Sequence, residues 1–211
     1  MFNKYQISAA LGIATVAWAI VLSVQGVGMT WHDLAPFSTV VSVLVGAGFV
    51  MDKFLWHVPI FQGWLFSTPD LRGTWRVTIR SEWVDPETGQ RAAPITSYAA
   101  ITQTLSKLQI HLMTPESESC LLAHSIEATT CGNRFQIAVV YANTPNVALR
   151  GVRSERHVGA AIINSHGEKK YLPIALEAEY WTDRKSVGRM TFENRVSKIF
   201  SRYEDALANY S

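Results

Sequence analysis

The sequence predicts a two-helix transmembrane hairpin followed by an all-β antiparallel domain, in which about eight strands close into a barrel. The first observation behind this prediction is the distribution of charge. Residues 1–68 carry only four charged side chains, and all other Lys, Arg, Asp and Glu residues follow them. The second is a change from helical to alternating hydrophobic periodicity after residue 69. With 48% hydrophobic and 17% charged residues, the chain is too apolar for a disordered protein.

Two uncharged stretches predict the membrane spans. The first, residues 7–27, would form roughly 31 Å of helix at about 1.5 Å per residue, which matches a hydrocarbon core of about 30 Å. The second, residues 34–53, is uncharged as far as Met51. Because the link between them is so short, the spans would form an antiparallel hairpin. A cleaved signal peptide followed by one anchor is the alternative, which the apolar run beyond Ala19 disfavours.

Basic residues flank the hairpin and predict its orientation. Lys4 precedes the first span and Lys53 follows the second, whereas the link has no basic residue. Both termini are therefore expected on the cytoplasmic side of the membrane. The predicted domains are the hairpin at 1–53, an interfacial connector at 54–69 and a cytoplasmic barrel at 70–211.

Small residues four positions apart occur on both predicted spans. These pairs are Ala10 with Ala14, and Ser42 with Gly46. Such spacing puts small side chains on one helix face, where helix backbones approach closely. The faces would pack either the two helices of one hairpin or the hairpins of several copies.

The two cysteines give no sign of a metal or redox site. Cys120 and Cys131 have ten residues between them in a strand-rich region and lack the spacing of metal ligands. In a reducing cytosol both would be free thiols. A disulfide across a hairpin is the alternative.

Alternation of apolar and polar residues predicts the strands of the soluble domain. Seven are expected, with one more possible, at about 73–83, 97–113, 119–130, 134–143, 156–164, 171–182 and 186–194. Strands at this spacing without intervening helices predict a sandwich or a closed barrel, and closure removes exposed sheet edges. A short closing helix is expected within 197–210.

The first strand opens with Leu71-Arg-Gly-Thr-Trp75. Lipocalin-like barrels start in a similar way, with the Trp plugging the closed end of the barrel. This similarity implies a lipocalin-like barrel in which Trp75 is buried.

Motifs of catalysis are absent from the sequence. There is no Gly-x-Ser-x-Gly elbow, no phosphate-binding Gly-rich loop with Lys-Ser/Thr and no His-Glu-x-x-His. The six histidines are scattered without metal-ligand spacing. The sequence therefore predicts a protein that is not an enzyme and has no cofactor or metal. A net charge of +2 also argues against binding of a DNA or RNA polymer.

A polarity gradient along inward-facing positions indicates a candidate site. The predicted strand at 134–143 grades through Phe135, Ile137, Val139, Tyr141 and Asn143. The predicted strand at 171–182 grades through Leu172, Ile174, Leu176, Ala178, Tyr180 and Thr182, with Arg184 beyond. Both strands run the same way, so their polar ends meet at one mouth, near the start of another strand and near Arg189. The candidate ligand-binding residues are Tyr141, Asn143, His157, Tyr180, Thr182 and Arg184.

These residue types suit a nucleotide, since aromatic rings stack on bases and arginine forks bind phosphates. Two points leave this interpretation open. Any barrel has polar rims. In addition, the run from Thr102 to Leu112 grades in the opposite sense for its place in the strand count. A bulge near Ser106-Lys107 or an uncounted strand before Ser97 would reconcile it.

The order of these elements, with three short motifs, resembles a known family. The motifs are Tyr180-Trp-Thr-Asp-Arg-Lys-Ser-Val-Gly188, Tyr141-Ala-Asn-Thr-Pro145 and His157-Val-Gly159. They are similar to the two-transmembrane β-barrel effectors of cyclic-oligonucleotide-based antiphage signalling systems (CBASS), the CD-NTase-associated barrel effectors. The resemblance implies a bacterial inner-membrane protein whose barrel binds a cyclic dinucleotide made during phage infection. It also implies that binding drives oligomerisation, and that the assembled hairpins disrupt the lipid bilayer and kill the cell.

Two alternatives from other classes stay open at this point. One is a membrane-tethered, lipocalin-like binder of an apolar molecule, which needs a deep apolar cavity. The other is a barrel that serves as an assembly platform without a ligand. A dianionic cyclic dinucleotide instead needs cationic and stacking groups at the rim.

Overall fold

The computed structural model describes residues 4–26, 31–84, 88–130, 134–150 and 155–210. The chain divides into two compact units, a helical unit up to Trp56 and a β unit from His57 onward. The division lies three residues beyond the predicted end of the hairpin at 53.

The helical unit contains two long helices. Helix α1 spans Lys4–Val24 and helix α2 spans Trp31–Val50, after which a π-helical turn covers Met51–Leu55. Where side chains are described, apolar ones are exposed on both helices, including Val16, Ile20, Val24, Val43, Leu44 and Phe49. Among the described residues, no helix combines the length and the hydropathy needed to cross a membrane. The helices overlap the predicted spans but begin and end three residues earlier, and the transmembrane hairpin stays a prediction.

The β unit is a closed antiparallel barrel of eight strands in sequence order, with β8 paired to β1. The strands are β1 Gly73–Ser81, β2 Ile95–Gln103, β3 Leu108–Met113, β4 Ser117–Ala128, β5 Phe135–Pro145, β6 His157–His166, β7 Ala175–Thr182 and β8 Val187–Val196. The predicted barrel is confirmed, and the sandwich is excluded. Its closed end is where β1 begins and β2 ends, and its open end is the opposite one.

The strand predicted at 97–113 is wrong, because the chain reverses direction within it. The Oγ1 atom of Thr104 accepts hydrogen bonds from the backbone N–H groups of Ser106 and Lys107, and the Thr104 N–H donates to the Lys107 carbonyl. These bonds form a tight turn between β2 and β3 without Gly or Pro. Residues 102–112 therefore belong to two strands that run in opposite directions. The direction of their polarity gradient is explained by this turn, and neither a bulge nor an extra strand before Ser97 is needed to explain it.

The prediction that Leu172 and Ile174 face inward is wrong. Leu172 and Ile174 precede β7 and are 40% and 70% exposed, because they belong to the loop that follows β6. Arg189 lies on the outer wall, where its Nε is 3.6 Å from Glu179 Oε1. The inward positions of β5 and the rest of β7 are as predicted.

The closed end is sealed by the segment that leads into β1. Leu71 is buried there, its N–H donates to Gln103 Oε1, and Gln103 Nε2 donates to the Pro69 carbonyl. Trp75 is fully buried and donates from Nε1 to the Leu71 carbonyl at 2.9 Å. The prediction that Trp75 plugs the closed end is therefore confirmed.

A short C-terminal helix, α3, spans Tyr203–Tyr210 and covers the outer face of β2. The rings of Tyr203 and Tyr210 lie 5.4 Å and 5.1 Å from the ring of Tyr98, and Ala206 is fully buried. The helix starts later than the predicted stretch, and Ile199 precedes it as an exposed residue. This packing brings Tyr203 close to the open end.

Cys120 is an exposed free thiol on β4. Cys131 lies outside the described residues. The expectation of free thiols is therefore confirmed for Cys120 alone.

Candidate functional site

A cavity of about 720 Å³ opens at the open end of the barrel. Its volume falls within the range of about 300–1,000 Å³ that is usual for small-molecule sites. Its inner wall includes the apolar residues Ile79, Leu112 and Met190, and its rim includes residues 92–96 and 114–117. The cavity therefore has an apolar floor and a rim of mixed polarity.

Five of the six predicted site residues line this cavity: Tyr141, Asn143, His157, Tyr180 and Thr182. They come from the open-end halves of β5, β6 and β7, as the strand directions require. Arg184 is not among the lining residues and is exposed in the turn between β7 and β8.

The two tyrosines are each held against a glycine of the next strand. Tyr141 pairs with Gly159 across β5 and β6, and Tyr180 pairs with Gly188 across β7 and β8. A methyl group on Gly159 would overlap the ring of Tyr141, and one on Gly188 would lie 2.7 Å from the Tyr180 hydroxyl. Gly159 and Gly188 therefore leave the space that the two tyrosine rings occupy. This explains why the motifs have glycine at these two positions.

Burial adds to the ordinary preference of both phenols for the neutral form. It raises the pKa of Tyr141 to about 12, with smaller contributions from Tyr180 and Asp183. It also raises the pKa of Tyr180, against a hydrogen bond with Ser81 that lowers it. Both hydroxyls are thus neutral at physiological pH and able to donate a hydrogen bond.

The amide of Asn143 is fixed by two serines of β4. Its Nδ2 donates to Ser117 Oγ at 3.0 Å and to Ser119 Oγ at 2.8 Å. With both N–H groups engaged, its carbonyl oxygen is the amide atom that can accept a hydrogen bond from a ligand. Sequence reasoning missed the serines because their register with β5 depends on the turn and the bulge between the strands.

The turn between β7 and β8 is tied to the start of β6. The Val158 N–H donates to Asp183 Oδ2, and the Asp183 N–H donates to the Val158 carbonyl. Within the turn, the hydroxyls of Thr182 and Ser186 are 2.7 Å apart, and both residues line the cavity. The motif residues around His157 and Thr182 therefore form one connected rim.

Charge is sparse inside the cavity. Its described lining contains Glu116 and His157 but no lysine or arginine. Among the described residues, no cluster of His, Cys, Asp and Glu could hold a metal ion. Two basic residues, Arg184 and Lys185, follow the anchored Asp183 in the turn beside the mouth.

Below the mouth the barrel is largely filled. A second void of about 40 Å³ lies between apolar residues that include Ile110, Leu121 and Phe192. Trp75, Phe135 and Leu176 pack the space beneath. Within the described part of the barrel interior, room for a ligand is therefore found at the mouth.

Comparison with known proteins agrees with this geometry. Residues 66–194 match the family model described as Cap15, cyclic dinucleotide receptor domain. The matched stretch includes all of β1 to β7 and most of β8, and it covers more than half of the 211 residues. No curated protein matches the chain. The match confirms the resemblance carried by the motifs, and the chain belongs to the Cap15 cyclic dinucleotide receptor domain family.

Proposed function

We propose that this chain is a CBASS effector whose barrel binds a cyclic dinucleotide in the mouth cavity. The observation that carries the proposal is the convergence of Tyr141, Asn143, His157, Tyr180 and Thr182 on that cavity. Together they provide two aromatic rings, an amide, an imidazole and a hydroxyl. Bases would stack on the rings, and the amide and hydroxyl would read base or sugar edges.

The phosphates would lie toward the turn between β7 and β8. Its Thr182 and Ser186 hydroxyls line the cavity, whereas Arg184 and Lys185 lie beyond them. Since the described lining has no arginine or lysine, the two phosphates of the ligand need charge from this turn. Arg184 is the residue of the motif best suited to that role.

Binding is tested by calorimetry of the protein with a panel of cyclic dinucleotides. One member should bind, and Tyr141→Ala and Tyr180→Ala should each weaken binding by about 1–3 kcal/mol through loss of stacking. Trp181→Ala is the matched control, because Trp181 is an exposed aromatic residue of β7 next to Tyr180. Equal losses in all three variants, or no binding by any member, would contradict the proposal.

The proposed role of Arg184 in phosphate binding is tested by comparing it with Arg189, which lies on the outer wall. Arg184→Ala should slow association of the ligand by about tenfold and reduce its dependence on salt, because a charge at the rim acts mainly on association. Arg189→Ala should leave both unchanged, since Arg189 is 74% exposed beside Glu179. Stopped-flow mixing at low and high salt measures the difference. Identical behaviour of the two variants would exclude Arg184 as the phosphate residue.

The helical unit is proposed as the membrane-disrupting part, inserted in the bacterial inner membrane with both termini in the cytoplasm. Its uncharged stretches and the exposed apolar side chains of α1 and α2 support this role. A hairpin without intramembrane charge has no evident ion pathway as a monomer. Ligand binding would therefore act by raising the oligomeric state, and the outcome would be membrane permeabilisation and cell death.

Gly46→Leu tests assembly through the small-residue face of α2. Among the described residues, and apart from the helix's own nearby backbone, no atom lies within 4 Å of a Cβ built at Gly46, so this position has room for a Cβ. We expect ligand binding to persist while ligand-dependent dye leakage from vesicles falls, because close approach of helices needs small residues. Val43→Leu, at a site already apolar and 64% exposed, should leave leakage intact. Unchanged leakage with Gly46→Leu would exclude this face.

The barrel interior argues against the tethered carrier. A void of about 40 Å³ below the mouth is far smaller than the range of about 300–1,000 Å³ usual for small-molecule pockets. An acyl chain would have to displace packed core residues. Binding of fatty acids in place of cyclic dinucleotides would restore that alternative.

A further inference from the structure

We propose that the closed end of the barrel is itself a membrane-docking surface, which inserts apolar side chains into the headgroup region of an anionic bilayer. The surface is the closed-end patch, formed by Ile60, Trp64, Leu65, Leu172 and Ile174. The proposal deepens the membrane association proposed above. It rests on the proposed insertion of the helical unit, which would bring a bilayer close to the connector. All five residues belong to the β unit.

Among the described residues, the patch holds three of the four most exposed large apolar side chains of the β unit. Ile60, Trp64 and Ile174 are 71%, 72% and 70% exposed. On the outer wall, Leu122 is 61% exposed, and Val140, Val158 and Trp181 are 39% to 46% exposed. Large exposed apolar patches on soluble domains mark surfaces that bind a partner or a membrane.

The patch comes from two segments that are distant in sequence but held together. Gly63 precedes Trp64, and a Cβ built on it lies 3.5 Å from the hydroxyl of Tyr171, which precedes Leu172. The Asp70 N–H donates to the Tyr171 carbonyl at 2.8 Å. The connector and the loop after β6 therefore present one surface.

The connector is folded in a way that fixes its apolar side chains outward. The N–H groups of Leu65 and Phe66 both donate to the Phe61 carbonyl, and Phe66 is buried. Trp64 donates from Nε1 to the Ile60 carbonyl. Because the only polar atom of its ring is already bonded within the chain, immersion of Trp64 would leave no donor unsatisfied.

Charge around the closed end favours an anionic surface. Basic side chains there are Lys107, Arg134, Lys169, Lys170 and Lys198, which lie in the turns at that end or beside its strand ends. The carboxylates at the same end include Glu127, Glu168 and Asp70, and Asp70 is already paired with Arg72 at 2.8 Å. Apolar and aromatic residues flanked by lysine and arginine are the composition of surfaces that lie in the membrane interface.

The path of the chain identifies the bilayer as the occupant, in preference to a protein. The π-helical turn that follows α2 ends at Leu55, five residues before Ile60. Ile60 therefore follows the predicted span at 34–53 by only a few residues of chain, and a bilayer that holds this span is within its reach. Tryptophan is also the residue type that collects at the headgroup level of membranes.

Site-directed spin labelling of the full-length chain tests the proposal. The native cysteines are replaced in the double variant Cys120→Ser/Cys131→Ser, and single labels are then placed through Trp64→Cys, Ile174→Cys or Trp181→Cys. The protein is reconstituted in vesicles of phosphatidylethanolamine and phosphatidylglycerol without nucleotide. Labels at 64 and 174 should collide more with oxygen than with a water-soluble nickel chelate, and the label at 181 should show the reverse. Equal access of the chelate to all three labels would overturn the proposal.

A second arm tests the patch without altering the labelled site. With the label at 64, Ile174→Glu should shift its collisions toward the chelate, whereas Val158→Glu on the outer wall should not. Vesicles of phosphatidylcholine alone should weaken the immersion, because the basic residues lose their anionic partners. Immersion that is indifferent to both Ile174→Glu and lipid charge would also overturn the proposal.

Calorimetry with the cyclic dinucleotides keeps this inference separate from the proposed function. Immersed labels in a chain that binds no nucleotide would refute the sensor and leave the docking surface standing. Nucleotide binding with fully water-accessible labels would refute the docking surface alone.

Discussion

Replacing Trp75 with alanine should lower the free energy of unfolding of the β unit by about 3–5 kcal/mol, as is usual for removal of a large buried aromatic residue. Trp75 is fully buried against the segment that seals the closed end, and the guanidinium carbon of Arg195 lies 5.4 Å from its ring centre. The substitution would leave a cavity and also remove the hydrogen bond to Leu71. Urea unfolding of residues 57–211, followed by circular dichroism, measures the change.

Trp83→Ala provides the matched control. Trp83 follows β1 and is 52% exposed, so its loss should change stability by no more than about 0.5 kcal/mol. Since small domains have a total stability of only about 5–15 kcal/mol, Trp75→Ala should bring the barrel close to unfolding. Similar unfolding midpoints for the two variants would mean that the closed end does not depend on the Trp75 ring.

The barrel could be predicted from sequence because its strands are long and alternate clearly. Prediction of the strand ends failed at two places, where local interactions determine the path of the chain. The turn at Thr104 is formed by a threonine hydroxyl that bonds backbone N–H groups, with no Gly or Pro to mark it. Alternation continues through the turn, so two strands look like one. The loop before β7 misled in a similar way, since Leu172 and Ile174 continue the alternation of β7 while lying outside it.

The site could be predicted in part for the same reason. Tyr141 and Asn143 on β5, like Tyr180 and Thr182 on β7, continue buried faces to the open end, so alternation alone brings them to one mouth. The rest depends on contacts between distant segments. Tyr203 reaches the cavity only because α3 packs on β2. Arg184 follows the same alternation but lies in a turn, where the strand geometry no longer determines its direction.

Replacing Gly159 with alanine should reduce affinity for the cyclic dinucleotide about as much as removal of the Tyr141 ring. The added methyl group would overlap that ring, which is half-buried between the cavity and β6. Displacing the ring forfeits its stacking on a base, a loss of about 1–3 kcal/mol. Calorimetry should then report a Kd raised by about five- to 150-fold. Val158→Ala, at the adjacent outward position, should leave the Kd unchanged.

A double-mutant cycle decides whether Gly159 acts through Tyr141. If the glycine matters only because it makes room for the ring, Gly159→Ala should add little to the loss already caused by Tyr141→Ala, since residues that act through one contact are not additive. Additive losses would mean that the methyl group disturbs the cavity by another route. Gly188→Ala should affect stability as well as binding, because its methyl group would meet the backbone carbonyl of Arg80 as well as the Tyr180 ring. The pair of glycine variants therefore separates a displaced ring, which lowers affinity alone, from a distorted strand, which also lowers the unfolding midpoint.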